Sequence, residues 1–208
     1  MARQKKRPLA RPEPPSATRS DSKAIVEAIL TAGEELAARG LGEVTVAAIA
    51  TRAGVGTASV HRYFPDKGAL FAELFRRQHA RVLDGLERAL AESTTLEDAA
   101  RRCTESFAGF DEEEARLRRA LNTDVPLSWS LDELAPVLDG SIDTIVEGIR
   151  RYLPDVPDAV LRERVFYVVG LGRGIVMLRL LRPERAPSTE SSVDFITAQT
   201  LRVLDPPE

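Results

Sequence analysis

The chain has 208 residues, 43% of them hydrophobic, with one cysteine and two histidines, so it can bury a large core but cannot form an intramolecular disulfide or the usual zinc ligand sets. No segment reaches the roughly 18 consecutive apolar residues of a membrane-spanning helix, and the basic N-terminus is followed by prolines, whereas a signal peptide would continue with an apolar segment. We therefore expect a cytoplasmic protein with no membrane segment, metal or cofactor. The net charge of -3 is unevenly divided, because residues 1–80 carry 13 Lys and Arg against 8 Asp and Glu while residues 81–208 carry 16 against 24, a division that favours a nucleic-acid-binding front end.

The first 21 residues are predicted to form a flexible basic arm. Residues 1–21 contain six Lys and Arg residues and four prolines, a composition that neither sustains a helix nor buries a core. Two interpretations remain open at this stage: a leader without a role, or an arm that contacts the backbone or the minor groove of DNA.

The rest of the chain is predicted to be all-α. Ala, Leu, Arg and Glu dominate between glycines and prolines, and apolar residues recur at helical spacing, which favours helices over strands. Candidate N-caps and glycine or proline breaks place the helices at residues 22–39, 46–53, 56 or 57 to 63, 67 to about 90, 95–108, 111–122, 130 or 132 to 152, 157 or 158 to 181, and 188–204.

Residues 50–60 have the spacing of a helix-turn-helix. The small residue Ala50 is followed four positions later by Gly54, and six positions after that by the apolar Val60. Two helices that cross steeply leave no room for a bulky first residue, the tight turn favours glycine, and the last residue anchors the second helix. Ordinary helical hairpins can share this spacing, so by itself it leaves a solvated surface helix open.

The second helix of this unit is predicted to present a polar face. Because Val60 and Phe64 lie one turn apart and face the core, the outward face is left to short and polar side chains. Its residues are Thr57, Ala58, Ser59, His61 and Arg62. Base edges in the major groove are recognised by such short donors, acceptors and Arg forks. The charge of His61 depends on pH, which predicts a modestly pH-sensitive affinity for DNA.

The wider sequence around this unit resembles the N-terminal signature of the TetR family of bacterial regulators. The likeness runs without a gap over roughly residues 22–75. It rests on Thr45-Val46, Ile49-Ala50, Ala53-Gly54-Val55, Arg62-Tyr63-Phe64-Pro65-Asp66-Lys67 and Leu70-Phe71. The resemblance implies an N-terminal three-helix helix-turn-helix DNA-binding domain at residues 22–68, followed at 69–208 by a C-terminal helical domain for effector binding and dimerisation.

The same resemblance assigns roles to individual residues. It implies that Thr45 contacts a phosphate, that the helix from Thr57 to Tyr63 enters the major groove, and that Lys67 binds the DNA backbone. Both Thr45 and Lys67 are predicted at helix N-termini, where the helix dipole favours a phosphate. Three positions differ from the residues frequent in the family: Ala58, His61 and Tyr63. The operator sequence therefore cannot be transferred from other members.

The second half offers candidates for a ligand cavity but no motif. Apolar side chains on its predicted helices could line a pocket for a small apolar effector, although most are equally well explained as core. The candidates are Cys103, Phe107, Phe110, Leu121, Trp129, Leu134, Val137, Leu138, Phe166, Tyr167 and Met177. Trp129 is preferred, because it is predicted to lie in an irregular segment, residues 124–130, where a mobile wall could respond to a ligand. His79, on the long fourth helix, is predicted to be solvated.

The last two helices are predicted to form the dimer interface. Residues 165–178 are apolar almost all round, and their three glycines, at positions 170, 172 and 174, would let another helix approach closely. A Gly-rich nucleotide loop is the competing interpretation, but no βαβ unit surrounds it. The last helix carries a narrower apolar stripe of Val193, Ile196, Thr197, Thr200, Leu201 and Leu204. The resemblance implies that these two helices of each subunit form a four-helix bundle in a homodimer.

Together these features predict a DNA-binding transcriptional regulator. The resemblance implies a ligand-responsive repressor that binds a palindromic operator as a dimer, in which an effector shifts the fourth helix and changes the spacing of the recognition helices. Two alternatives remain: a helical protein that sequesters small molecules, and a helical enzyme, each with a vestigial helix-turn-helix. Because both histidines, His61 and His79, lie in the DNA-facing half, a His-based catalytic triad is not available to the second half.

Overall fold

A computed structural model describes residues 20–109, 111–123 and 127–206, and the side chains of residues 22–109, 111–122 and 135–206. Within these ranges the regular structure is entirely helical, which confirms the all-α prediction. The α-helices are α1 (Ser20–Ala37), α2 (Val46–Ala53), α3 (Thr57–Tyr63), α4 (Lys67–Glu92), α5 (Leu96–Ala108), α6 (Glu112–Thr123), α7 (Leu127–Ile149), α8 (Asp158–Leu181) and α9 (Thr189–Leu204). No helix in the described part of the chain is long and apolar enough to cross a membrane.

The helix termini of the N-terminal unit follow from local sequence. Thr45 caps α2, its hydroxyl oxygen accepting a hydrogen bond from the amide of Ala48 at 3.1 Å, and Gly54 ends that helix at a left-handed φ of 67° that glycine adopts without strain. Asp66 caps α4 by accepting from the amide of Ala69 at 2.8 Å. The predicted caps of α2 and α4 are thereby confirmed.

The start of α7 differs from the prediction. The helix begins at Leu127, not at residue 130 or 132, so Trp129 lies in its first turn and not in an irregular connection. Ser130 and Asp132 are good N-cap residues in sequence, but helical spacing of apolar residues already begins before them. The helix also accommodates Pro136 in its interior and ends at Ile149, three residues earlier than predicted, where a 3-10 turn, Arg150–Tyr152, follows.

One hydrophobic cluster holds the N-terminal unit together. Its fully buried members include Ile29 of α1, Ile49 of α2, Val60 of α3 and Leu74 of α4. Helix α6, which is remote in sequence, adds two buried leucines, Leu117 and Leu121, to the same cluster. Burying a Leu side chain stabilises a fold by roughly 1.5–3 kcal/mol, so α6 is firmly attached to the helix-turn-helix unit.

The remaining helices form a bundle around α4. Helix α4 packs against α5 and α7, α5 packs against α9, and α8 packs against both α7 and α9. The crossing of α4 and α7 is close at Gly148, where a Cβ atom would lie 2.7 Å from Cδ1 of Leu90. Because α4 begins shortly after α3 ends and continues into the bundle, a single helix of 26 residues connects the two halves.

The two final helices differ from the prediction in which faces they bury. In α9 the predicted stripe is directed into the chain's own core, and Val193, Ile196, Thr197, Thr200 and Leu204 are buried there. The prediction that this stripe contacts a second subunit is therefore wrong, because α5 and α8 of the same chain already cover it. Helix α8 is predicted to be buried on several sides, yet one side is uncovered. Its exposed apolar residues are Val160, Phe166, Tyr167, Leu178 and Leu181, and Phe195 of α9 is exposed as well.

Candidate nucleic-acid interface and internal cavity

Helix α3 presents the polar face that the sequence predicts. Val60 and Phe64 are buried, with 2% and 3% of their surfaces exposed, and they anchor the helix on the N-terminal cluster. Thr57, Ala58, His61 and Arg62 are exposed, and Ser59 is half-buried. The short hydroxyl side chains, one imidazole and one guanidinium on this face provide the donors and acceptors that recognise base edges.

Tyr63 is placed differently. It was predicted among the DNA-contacting residues, but its side chain is 8% exposed and belongs to the hydrophobic cluster of the N-terminal unit. The reason is helical geometry, because position 63 lies one turn after the half-buried Ser59 and beside the buried Val60 and Phe64. Arg62 lies over the Tyr63 ring, with its guanidinium carbon 5.7 Å from the ring centroid, so the tyrosine supports the position of an exposed arginine.

The two predicted phosphate contacts lie at helix N-termini. Thr45 is exposed at the start of α2, and Lys67 is exposed as the first residue of α4. One amide at each terminus is already bonded to a capping side chain, that of Thr45 or Asp66. The remaining amides and the positive end of each helix dipole still favour an anion, and Lys67 adds a full positive charge.

Ion pairs fix the orientation of the helices behind this surface. Arg52 of α2 pairs with Glu35 of α1, and this hydrogen bond lowers the pKa of the Glu35 carboxyl. Arg77 and Arg81 of α4 both pair with Glu34 of α1, Arg81 at 2.6 Å. The surface pairs are individually weak, but together they relate α1, α2 and α4 in one arrangement.

An internal cavity lies in the bundle between α4, α5, α6, α7, α8 and α9. The cavity has a volume of about 120 Å³, which is of the same order as that of an engineered cavity of about 150 Å³ that binds benzene. Most of its wall is apolar. Representative lining residues are Val82 and Leu86 of α4, Ile145 and Ile149 of α7, and Val168 and Val176 of α8.

Several predicted ligand residues line this cavity and others do not. Cys103, Phe107, Val137, Leu138 and Met177 are part of its wall. Burial raises the pKa of the Cys103 thiol to about 12, so this cysteine is a neutral, unreactive wall residue. Phe110, and the side chains of Trp129 and Leu134, lie outside the described part of the chain.

Three other predicted ligand residues lie elsewhere. Leu121 is fully buried, but it packs in the N-terminal cluster because the face of α6 that carries it is directed at α1. Phe166 and Tyr167 are 62% and 56% exposed on the uncovered side of α8, with their rings in edge-to-face contact. The expectation that these three line the cavity is therefore wrong, because Leu121 lies on the face of α6 that packs in the N-terminal cluster, and Phe166 and Tyr167 lie on the side of α8 that is directed away from the chain's interior.

One end of the cavity is polar, a feature absent from the predictions. Arg118 of α6 donates to Glu114 at 2.8 Å and to the carbonyl oxygen of Phe107 at 2.9 Å. Asn122 donates to the carbonyl oxygen of Arg118, and Gln78 of α4 donates to Glu114 at 3.3 Å. Arg118, Asn122 and Gln78 all line the cavity. The same helix, α6, thus has one face in the N-terminal core and another in the cavity.

His79 also lines this end, which corrects its predicted solvated position. Its side chain is 7% exposed, its ring centroid lies 4.0 Å from that of Phe75, and its Nδ1 lies 2.8 Å from the carbonyl oxygen of Phe75. Burial lowers its pKa from 6.5 to about 4, against a smaller opposing effect of the hydrogen bond with Phe75 and with help from Arg173 and Arg118. The ring is therefore neutral at physiological pH.

Arg173 is a further polar cavity residue that is absent from the predictions. It lies in the middle of α8, lines the cavity, and is the single charged residue among positions 165–178. Burial, and secondarily the nearby Arg118, lower the pKa of its guanidinium. A lone arginine inside an otherwise apolar helical segment was a readable signal, because such a charge is retained only where it has a function or a partner.

Comparison with known proteins supports the resemblance to TetR regulators both in the sequence of the N-terminal unit and in the fold. Residues 29–74 match the family model for bacterial regulatory proteins of the tetR family. No curated protein sequence matches the chain. Many solved structures share its fold.

Three of these structures illustrate the likeness. A TetR transcriptional regulator from Rhodococcus sp. RHA1 is 20% identical with a TM-score of 0.64, over 91% of this chain and 100% of that one. A tetR-family regulator from Streptomyces coelicolor is 20% identical with a TM-score of 0.68, over 88% and 82%. The regulator FadR from Bacillus subtilis, in complex with stearoyl-CoA, is 16% identical with a TM-score of 0.61, over 88% and 100%.

At these identities the likeness to solved structures establishes the fold. The matched segment, residues 29–74, contains the helix-turn-helix unit with Ala50, Gly54 and Val60 in their predicted positions. The described helices beyond it continue through the bundle that surrounds the cavity. Residues 29–74 therefore match the family model for bacterial regulatory proteins of the tetR family, and the chain has the same fold as the solved TetR-family regulators.

Proposed function

We propose that this chain is a ligand-responsive transcriptional repressor that binds a palindromic DNA operator as a homodimer. The observation that carries this proposal is the polar, exposed face of α3, held by buried Val60 and Phe64 on a compact helical unit. No large apolar side chain obstructs that face among the described residues of α3. The helix is thus free to enter a major groove.

The DNA-contacting residues are divided into two groups by their chemistry. Ser59, Thr57 and the exposed Arg62 and His61 have the side chains for base readout, with Ala58 available for contact with a thymine methyl group. Thr45 and Lys67 lie at helix N-termini and would bind phosphates, fixing the register without reading sequence. Tyr63 acts behind the surface, through its contact with Arg62.

Dimerisation gives this unit the reach that an operator requires. Two recognition helices of a dimer must lie about 34 Å apart to read successive major-groove faces. The exposed apolar side of α8 supports a two-fold contact, since Phe166 and Leu178 are 62% and 64% exposed and Phe195 of α9 is 53% exposed. Gly170 and Gly174 lie among them, with nothing within 4 Å of an added Cβ, so a partner helix can approach closely there.

The cavity supports a regulatory ligand. Helix α4 contributes Gln78, His79, Val82 and Leu86 to its wall, and the same helix begins with Lys67 at the DNA face. A ligand that changes the packing around these four residues would tilt α4 and change the distance between the two recognition helices. The ligand can change the free energy of DNA binding only by as much as its own binding free energy differs between the two arrangements of α4. FadR, which shares this fold, is a regulator that binds stearoyl-CoA, which favours a small-molecule effector here.

The proposal is tested by electrophoretic mobility shifts with DNA fragments from upstream of the gene. The full chain is compared with Arg62→Ala and with Arg185→Ala, which removes an exposed arginine from the short 3-10 turn before α9. We expect specific retardation by the parent and by Arg185→Ala, and a loss of discrimination worth about 1–3 kcal/mol in Arg62→Ala. Equal affinity for specific and unrelated DNA in all three proteins would contradict the proposal.

A further inference from the structure

Among the residues that the structure describes, the Arg173 guanidinium has no counter-ion. Arg173 lines the cavity from the middle of α8. Among the described residues it has neither a hydrogen bond nor an ion pair, whereas the neighbouring Arg118 is bonded to Glu114 and to the carbonyl oxygen of Phe107. Placing an unpaired charge in such surroundings costs stability. An arrangement of this kind is expected where a ligand supplies the missing charge.

The other groups at this end of the cavity do not supply that charge. The carboxylate of Glu114 is shared by Arg118 and Gln78. His79 is neutral and itself experiences the positive charges of Arg173 and Arg118. Asn122 directs its amide hydrogen to the carbonyl oxygen of Arg118. The described residues around Arg173 therefore leave one positive charge uncompensated.

The rest of the cavity requires an apolar ligand body. Away from Arg173 its wall is built by aliphatic side chains such as Val82, Leu86, Ile145 and Val168. Its volume of about 120 Å³ suits a compact body, since a cavity of about 150 Å³ holds a benzene ring. We propose that the effector is an amphipathic organic monoanion, whose carboxylate pairs with Arg173 and whose compact apolar body fills the aliphatic part of the cavity.

The charge balance favours a carboxylate over a phosphate group. One uncompensated guanidinium matches one negative charge, and its planar fork can bind both carboxylate oxygens. A phosphate dianion would leave a second charge unpaired beside the aliphatic wall. This inference rests on the proposed function only in giving the ligand a regulatory role; binding of the anion itself needs no DNA.

Thr200 of α9 indicates a second polar contact. Its side chain is 4% exposed, it lines the cavity, and its hydroxyl oxygen has no hydrogen-bond partner among the described residues. A buried hydroxyl without a partner costs about 1–3 kcal/mol. A ligand with a hydroxyl or carbonyl group along its apolar body can satisfy it.

The test compares carboxylates with alcohols of the same carbon skeleton. Isothermal titration of the purified full chain uses butanoate, hexanoate, benzoate and phenylacetate, each against its matched alcohol. We expect at least one acid to bind about tenfold or more tightly than its alcohol, as a charge-assisted hydrogen bond provides. If no acid in the panel is preferred over its alcohol, the inference is overturned.

Two variants and one control locate that preference. Arg173→Met keeps an unbranched apolar stem but removes the charge, and we expect the acid to bind no more tightly than its alcohol. Arg173→Lys keeps the charge and should retain part of the preference, while Arg185→Met, at an exposed arginine, should leave it unchanged. A preference for the acid that survives in Arg173→Met would show that the anion binds elsewhere.

A ligand-free measurement gives an independent readout. Because the Arg173 charge is uncompensated, Arg173→Met should raise the melting temperature of the unliganded protein, and Arg185→Met should not. A fall in the melting temperature of Arg173→Met would reveal a structural partner and contradict the inference. Loss of DNA binding with intact acid binding would refute the proposed function alone, whereas DNA binding without acid preference would refute this inference alone.

Discussion

Replacing His79 provides a quantitative test of the packing between the helix-turn-helix unit and the cavity. The His79 ring is 7% exposed and lies against Phe75, and burial lowers its pKa from 6.5 to about 4. Between these two values the unfolded chain binds a proton at this position and the folded chain does not. Acid therefore favours unfolding, and the stability that depends on a neutral His79 is complete above about pH 6.5 and is lost progressively towards pH 4.

The size of the effect follows from the two pKa values. Near pH 5 the unfolded state gains about 2 kcal/mol from protonation of this one residue, and near pH 4 about 3 kcal/mol. Leucine has a volume similar to that of histidine but does not bind a proton, so in His79→Leu this protonation free energy of the unfolded state disappears. The carbonyl oxygen of Phe75 keeps its helical hydrogen bond from the backbone amide of residue 79, so the variant should not leave an unsatisfied acceptor.

The assay is urea unfolding followed by circular dichroism at about pH 8 and pH 5, at one protein concentration because association changes apparent stability. Carboxylates also contribute to acid destabilisation, but they do so equally in both proteins. We expect the parent to lose about 2 kcal/mol more than His79→Leu over this interval. His61→Leu, at an exposed histidine, serves as the control and should behave like the parent. An equal loss in the parent and in His79→Leu would refute the buried, neutral assignment of His79.

Three further perturbations have defined outcomes. Gly148→Ala should lower the free energy of unfolding by about 1–2 kcal/mol, because its Cβ would lie 2.7 Å from Cδ1 of Leu90. Gly140→Ala on the same helix is the control: its Cβ would lie 3.9 Å from Leu83, an ordinary contact, so it should raise the free energy of unfolding by up to about 1 kcal/mol. Urea titration measures both variants. Gly174→Leu adds a side chain to the uncovered side of α8 and should shift the oligomer to monomer in analytical ultracentrifugation; an unchanged dimer would place the interface elsewhere. His61 lies exposed on α3, so His61→Ala should lower the affinity for the specific fragment more than the affinity for unrelated DNA in mobility shifts, and equal losses on both would exclude His61 from base readout.

The N-terminal unit was predictable because its signals are local. Thr45, Asp66 and Gly54 end or begin helices through contacts with residues three or four positions away, and these contacts can be read from spacing alone. The burial of Val60 follows from the same periodicity. The burial of Tyr63 could not be predicted in this way, since an aromatic residue with a polar tip is equally suited to a surface or a core.

The bundle was less predictable because its contacts join distant segments. The sequence marks α8 as apolar but not which side meets the chain's own core, so Phe166 was assigned to a cavity from which the structure turns it away. Leu121 was recognised as buried, but its cluster is set by the packing of α6 on α1. The polar end of the cavity combines Arg173, His79 and Arg118 from three helices, and no spacing along the chain encodes that meeting.

The central claim, that the polar face of α3 and the positive start of α4 bind operator DNA, is tested most directly by fluorescence anisotropy. The full chain is titrated onto labelled fragments from upstream of its gene at several salt concentrations, beside Lys67→Ala and the Arg185→Ala control. We expect specific binding whose logarithmic salt slope is steeply negative, and a slope smaller by about one in Lys67→Ala but not in Arg185→Ala, because one phosphate contact is lost. Binding no tighter than to unrelated DNA, with the same salt slope in all three proteins, would contradict the claim.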